Sequence, residues 1–497
     1  MAARRDDIVA EERAQIVIEM MSPQRPRGRV KELAESYQLS RQALYEMAEK
    51  GREVLAAGLR VGGHGPQVKE REVKVTKNRL QRSVLTLSEA GVSQRGVKAC
   101  LGEMLDTSVS LGWVNGELAQ LEAKAEAVNE SFKPRGGETL SGDEIFSNGL
   151  PNLVVVGNES LYLYALSRQG ERDGETWGCV LLDVPATQQF ASDAGTGLAA
   201  GVAAAEVKQH QLDWDHLLRP LWRQAAQLEK QAYAALAKVE EREALLAKAH
   251  TSKRLEQHLA QWEALVAQAD KKIEKVDAYC RLARAVDNCF ALIDLESGQL
   301  TDAVQAVARL TALGQQMATF SGRIYQKLAT NLHNWATNLF SYQTLLAQEL
   351  TALTDQYGPE AITALGRLWQ CEADEKRHPL PWPQKEKRQQ IWHQALDEAY
   401  RCLGDTGLWP AWEALSALLA RPWRGSMLAE CLNSLLRPIL DRRKQTDQGC
   451  LELFRFLHNV RPFDRGKRAG HSPAELVGID LPDDPLSLLG LTPNVSS

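Results

Sequence analysis

Two aspartates of this 497-residue chain stand where an acid is costly. Asp143 falls in the first of three short strands read over Ser141–Arg168. The strands are Asp143–Phe146, Asn152–Gly157 and Leu161–Arg168, with Gly149-Leu150-Pro151 and Gly157-Asn158 as turn signals between them. No basic residue neighbours Asp143 in sequence. A carboxylate inside an apolar strand therefore costs free energy unless it binds a metal, acts as a base or caps a helix. Asp193 follows in Phe190-Ala-Ser-Asp-Ala-Gly-Thr-Gly-Leu, where a strand at Gln188–Ser192 ends and a helix begins. Carboxylates at two strand ends of one sheet can share a divalent cation, and Mg2+ is usually held by one or two of them plus substrate phosphates. The helix opening at Gly195 points its N-terminal amides to the same side and could hold a phosphate. Taken alone, Gly-x-Gly reads first as a tight turn.

The rest of the chain must position these acids. Its length has room for roughly three domains. A net charge of -5 with 25% charged residues excludes a generally polybasic protein. Local charge says more. Nine Lys/Arg face three acids between Arg60 and Lys98, and eleven face five between Arg421 and Arg468. Such stretches in an acidic protein suit a polyanion bound at particular places, or else a solvated helix face. The eight cysteines form no C-x-x-C pair and no zinc spacing, which fits free thiols in a reducing cytoplasm. No apolar signal core opens the chain and no run of about eighteen apolar residues occurs, so a cytoplasmic location without a membrane span is expected.

Residues 8–60 read as helical. Val30–Tyr45 gives a helix, a turn at Tyr37–Leu39 and a second helix capped by Ser40. Leu33, Ala34, Leu39 and Leu44 would form its core, leaving Arg41, Gln42 and Tyr45 exposed. This is helix-turn-helix spacing; a plain helical hairpin shares it. A second unit follows the turn-rich linker Val61-Gly-Gly-His-Gly-Pro: an amphipathic helix Val75–Ala90, a turn at Gly91-Val92, and a helix capped by Ser93 that exposes Arg95 and Lys98. A long helix, about Val109–Phe132, then leads to the boundary Lys133-Pro-Arg-Gly-Gly. The sheet domain runs over about 138–218, within which Glu175–Asp183 reads equally as helix or strand.

From about 217 to 420 the pattern is helical throughout. Leu221, Ala225, Leu228, Ala232, Ala235, Val239 and Leu246 keep a 4-3 spacing, and Leu255, Leu259, Trp262, Val266, Ala269, Ile273, Val276 and Cys280 repeat it. The polar joint Lys248–Lys253 makes these the arms of an antiparallel coiled-coil hairpin. Helices are then expected over about 300–355, 359–373, 386–404 and 411–420. Arg424–Pro438 reads as an amphipathic helix with Met427, Leu428, Cys431, Leu432 and Leu435 inward, and with Glu430 and Asn433 neighbouring on one face. Alone, Glu430 reads as a surface acid. Leu451–Asn459 is a further helix, followed by a basic loop from Arg461.

Together these pieces resemble a bacterial insertion-sequence transposase of the DDE type. Gly142-Asp-Glu-Ile-Phe with its hairpin resembles the first catalytic Asp, and Ser192-Asp-Ala-Gly-Thr-Gly-Leu the second. Asp213-Trp-Asp-His216 is similar to the [Cys/Asp]-x-x-His element of members whose core is interrupted by a helical insertion. Ser426-Met-Leu-Ala-Glu-Cys-Leu-Asn-Ser-Leu-Leu-Arg resembles the helix of the catalytic Glu. Leu457-His-Asn-Val-Arg-Pro-Phe and Gly466–Gly478 resemble the shared tail. The long gap between Asp193 and Glu430 departs from compact members and requires 219–420 to loop out of the core.

The resemblance implies a mainly α protein with an α/β core: paired helix-turn-helix units and a ribonuclease-H-like mixed sheet carrying a large helical insertion. The expected domains are 1–60, 61–132, 133–218, 219–420 and 421–497. Asp143, Asp193 and Glu430 would hold two Mg2+ ions, with Mn2+ able to substitute, and catalyse DNA cleavage and strand transfer. Arg41, Gln42, Tyr45, Gln94, Arg95 and Lys98 would read double-stranded transposon ends, while Asp213, His216 and Asn433 are auxiliary candidates. A homodimer or higher oligomer on DNA and a nucleoid location in a bacterium are implied. The alternatives are a catalytically silent, domesticated DNA-binding protein of the same fold, or a nuclease of branched DNA or RNA–DNA hybrids.

Overall fold

The computed structural model describes residues 8–22, 25–58, 74–248, 251–377, 382–421, 424–442 and 446–493. The expected linker 61–66 lies outside them, as does part of the hairpin joint. The chain divides into two compact units, residues 1–74 and 75–497.

The first unit holds α1 (Ala10–Met21), α2 (Arg29–Ser36) and α3 (Arg41–Gly58). Ile16, Met20, Leu33, Leu39, Leu44 and Ala48 fill its core. The turn between α2 and α3 passes through Gln38 at φ 50, and the Ser40 hydroxyl accepts from the Ala43 N–H at 3.1 Å, capping α3. Arg29 ties α2 to α1 through Glu19 at 2.8 Å. Arg41, Gln42 and Tyr45 are exposed on the first turns of α3.

The second unit opens with α4 (Lys77–Glu89), α5 (Gln94–Leu105) and α6 (Leu111–Ser131), capped by Thr76, Ser93 and Ser110. Gly91 at φ 76 makes the turn from α4 to α5, and Gln94, Arg95 and Lys98 face solvent. These helices share a core with the tail: Val84, Leu101, Leu118 and Leu121 pack with Leu453, Phe456 and Leu489.

The sheet elements follow in order: β1 (Leu140–Ser147), β2 (Leu150–Gly157), β3 (Leu163–Arg168), α7 (Gly174–Leu182), β4 (Gln189–Ser192), α8 (Thr196–Ala204) and β5 (Gln209–Leu212). The segment that read equally as helix or strand is the helix α7. The strand order is β3-β2-β1-β4-β5. β1, β2 and β3 form an antiparallel meander, whereas β4 and β5 run parallel to β1. Both faces are covered, as the near-continuous apolar run of β2 requires. Leu153 and Val155 face Trp177, Leu181, Leu198 and Val202 of α7 and α8; Val154 and Val156 face the other layer.

After β5 the chain leaves the sheet through α9 (Asp215–Leu246) and α10 (Ser252–Asn288), which pack along each other. α11 (Ala303–Met317), α12 (Arg323–Trp335), a 3-10 turn at Asn338–Phe340, α13 (Gln343–Tyr357), α14 (Pro359–Arg377) and α15 (Trp382–Leu419) follow. The single long element expected over 300–355 is thus several, with Gly322 at φ 132 marking the break before α12. α15 is interrupted at Gly404, whose φ of 62 is non-helical. The seam of α9 is buried at Leu221, Ala225, Leu228, Ala232 and Ala235, but Leu255 and Leu259 of α10 stay 45% and 43% exposed. Phe290, Phe340, Tyr279, Leu310 and Leu365 lie in the core of this helical part.

The chain returns as α16 (Met427–Arg442), α17 (Gln448–Val460) and α18 (Pro473–Leu476), then a 3-10 turn at Pro485–Leu489. α16 and α17 pack on the sheet face opposite α7 and α8. The protein is therefore mainly helical with a small mixed sheet. Among the described residues no helix is long and apolar enough to cross a membrane.

Candidate functional site

Asp143 lies on the central strand β1, opposite Val154 of β2. Its Oδ1 accepts from the Glu144 N–H at 2.8 Å, and its Oδ2 accepts from Asn433 Nδ2 at 2.7 Å. Burial, followed by repulsion from Asp193, pushes its pKa up to about 6, and Glu430 adds to the rise. One acid thus feels both of the others, although their positions in sequence are far apart. Asp193 directly follows β4, parallel neighbour of β1, and its Oδ1 accepts from the Gly195 N–H at 3.0 Å, closing the turn into α8. The preceding Ser192 hydroxyl lies 2.8 Å from His210 Nε2, and burial pushes the His210 pKa down to about 4.

Glu430 sits in the first turn of α16. Here the structure corrects the expected orientation of that helix. Ala429, Leu432, Leu436 and Leu440 are buried against the sheet, while Met427 and Leu435 are 62% and 58% exposed and Cys431 is exposed too. The inward face is rotated because β1 and β2 offer Ile145, Val154 and Val156 to the Ala429–Leu432–Leu436 stripe. That rotation buries Asn433 and turns it to Asp143.

Asp213, between β5 and α9, is buried. Burial raises its pKa, but His216, the Ser426 N–H and hydroxyl and the Asp215 N–H outweigh it, leaving the carboxyl below its usual value. His216 Nδ1 stands 3.4 Å from Asp213 Oδ2 without hydrogen-bond alignment, and Nε2 stands 3.8 Å from Glu430 Oε1. The Asp213 carboxylate raises the His216 pKa. Asp213, His216 and Glu430 each offer one ligand atom within 4.8 Å of the others, although the Asp213 oxygens already accept from Asp215 and Ser426; among the described residues, Asp143, Asp193 and Glu430 do not form such a group. The fit to a divalent metal also rests on the repulsion Asp143 feels from Asp193 and Glu430, and on the buried Asn433 Oδ1, which has no hydrogen-bond partner among the described residues.

A groove of about 700 Å3 opens beside these acids, lined by Asp143, Arg219, Glu430, Asn433, Ser434 and Arg437 among others. Arg219 pairs with Asp215 and stands 3.6 Å from Glu430 Oε2. Sequence reasoning missed Arg219, Arg437 and Ser426. Arg219 was findable as one helical turn after His216, and Arg437 as two turns after Glu430. It also missed Glu144, which faces away from the groove, accepting from Trp177 Nε1 at 2.6 Å and pairing with Arg172 at 2.9 Å. Arg41, Gln42 and Tyr45 belong to the first unit, and Gln94, Arg95 and Lys98 to α5 of the second; all are exposed, as a binding surface requires.

Compared with known proteins, the chain matches no family model and no curated protein.

Proposed function

We propose that this protein is a DDE-type DNA transposase with a ribonuclease-H-like core, binding transposon ends and cutting and joining DNA with Mg2+. The observation that carries the reading is Asp143 on the central strand, hydrogen-bonded to Asn433 of the Glu430 helix and repelled by both Asp193 and Glu430. An antiparallel meander with two parallel strands beside β1 supports the core assignment, and the helical insertion between β5 and α16 supports the interrupted form. Asp143, Asp193 and Glu430 would hold the metal pair. Bound Mg2+ supplies activation of water or a 3′-hydroxyl and stabilisation of the leaving 3′-oxygen. Asn433 keeps Asp143 oriented, and Arg219 and Arg437 draw the phosphodiester backbone into the groove.

α2–α3 and α4–α5 act as helix-turn-helix readers, with Arg41, Gln42, Tyr45, Gln94, Arg95 and Lys98 toward double-stranded DNA; the active species is a homodimer or larger assembly on paired ends. Footprinting on the DNA flanking the gene tests the recognition half. Arg41→Ala or Arg95→Ala should each weaken end binding by about 1–3 kcal/mol per lost base contact and leave non-specific binding nearly unchanged. Equal losses on end and random DNA would remove the two-reader assignment.

A further inference from the structure

Both ends of the helical insertion meet at one buried side chain. The Asp213 N–H donates to the Ser192 carbonyl at 2.8 Å, one residue before Asp193. Its Oδ1 accepts from the Asp215 N–H at 2.8 Å; its Oδ2 accepts from the Ser426 N–H at 3.0 Å and the Ser426 hydroxyl at 2.8 Å. The Ser426 carbonyl then accepts from the N–H groups of Ala429 (2.9 Å) and Glu430 (3.2 Å), which starts α16. A continuous hydrogen-bonded path therefore runs from the backbone beside Asp193 to the backbone of Glu430.

A second set of contacts flanks it. The Trp214 N–H donates to the Arg424 carbonyl at 3.2 Å, and the Arg424 guanidinium lies 4.6 Å from the Trp214 ring centroid and donates to the Phe290 carbonyl at 2.6 Å. Phe290 stacks on Phe340 inside the insertion. On the sheet side, the Ser141 hydroxyl reaches the Gly425 carbonyl at 3.3 Å. A Cβ at Gly425 would sit 3.1 Å from Asp213 Oδ1, so the approach is close.

We propose that Asp213 is a positioning residue: by binding Ser426 it fixes where α16 begins, and so sets Glu430 against Asp143, without itself ligating the metal. The inference rests on the reading of Glu430 as the third carboxylate. Three donors already occupy the Asp213 oxygens, leaving about one of four lone-pair sites for a cation. Its capacity is used on protein, unlike that of Glu430, which lines the groove. The link also explains how a helix arriving after some 200 intervening residues can be held to the precision catalysis needs.

The test compares Asp213→Asn, Ser426→Ala and the double variant in the full chain. Each single change should lower kcat for end cleavage by about tenfold or more, a misplacement effect, with KM for DNA unchanged. The double variant should be no worse than Asp213→Asn, since both cut one link. Mn2+ titration followed by electron paramagnetic resonance should give wild-type stoichiometry in both variants. In the DNA-free, metal-free protein, hydrogen exchange at the Ala429 and Glu430 amides should speed up in both, a readout that stands even if the wild type never cuts DNA. Loss of one Mn2+ equivalent in Asp213→Asn alone, or unchanged exchange in Ser426→Ala, would overturn the assignment. A wild type that binds no divalent metal would instead remove the transposase reading, leaving exchange to decide the link.

Discussion

At the scale of single residues, the informative feature is a carboxylate held in an unfavourable place. Asp143, with its pKa pushed up to about 6 by burial and by Asp193, weakens the metal-free fold whenever it is ionised. Asp143→Asn should therefore raise the metal-free stability at pH 7 by about 1 kcal/mol, after allowance for partial exposure. Added Mg2+ should stabilise the wild type and leave the variant unchanged, as read by urea denaturation. A variant less stable than wild type in EDTA would argue against a strained acid. Asp143 was legible in sequence because an unpaired acid in an apolar strand has few bland explanations. Glu430 was not, being a half-exposed helix acid whose meaning came only from the residues around it. The Asp213–Ser426 link was invisible, since no periodicity relates positions so far apart.

At the scale of elements, α17 acts as a side-chain substitute for a missing strand. β3 is the sheet's edge. Its Leu163 N–H donates to Asn459 Oδ1 at 2.8 Å, and its Leu163 carbonyl accepts from Asn459 Nδ2 at 3.1 Å and Arg455 Nε at 3.0 Å. Gln448 Oε1 accepts from the Arg168 N–H at 3.0 Å, and its Nε2 donates to the Leu166 carbonyl at 2.8 Å. Gln448, Arg455 and Asn459 share one helical face, so the edge is closed against pairing with another chain. Asn459→Ala strands a buried N–H and should cost about 1–3 kcal/mol in urea denaturation; a loss below a few tenths would show the edge to be satisfied otherwise. On the same helix, His458 Nε2 lies 2.8 Å from the Leu161 carbonyl, and burial lowers its pKa. The unfolded chain then binds more protons below about pH 6.5, so this residue's stabilisation is present above that value and lost as pH falls toward the folded pKa. His458→Gln should flatten the fall in stability below about pH 6.5; an unchanged slope would place the acid sensitivity elsewhere. Four of the five strands and most helices were legible from apolar runs, turn signals and helical spacing; β5, short and half polar as Gln-His-Gln-Leu, was not. The face of α16 was not, because Met427, Cys431 and Leu435 make as good an apolar stripe as the one the sheet selects.

At the scale of the whole molecule, a small mixed sheet carries acids on β1, after β4 and on α16, with a helical excursion from α9 to α15 between the last two. The excursion was legible as a change to helical spacing near residue 217, while its internal breaks depended on backbone at Gly322 and Gly404 that spacing does not encode. In the proposed function, Glu430, from beyond the excursion, works with Asp143 and Asp193 on DNA. The most direct measurement of this is Mg2+- or Mn2+-dependent cleavage of DNA carrying the gene's flanking sequences, with Glu430→Gln assayed beside wild type and end binding measured in parallel. Glu430→Gln should bind the ends as tightly as wild type and cut them at least about a hundredfold more slowly. Cleavage at the wild-type rate by Glu430→Gln, or a wild type that binds paired ends but never cuts them, would contradict the proposed function.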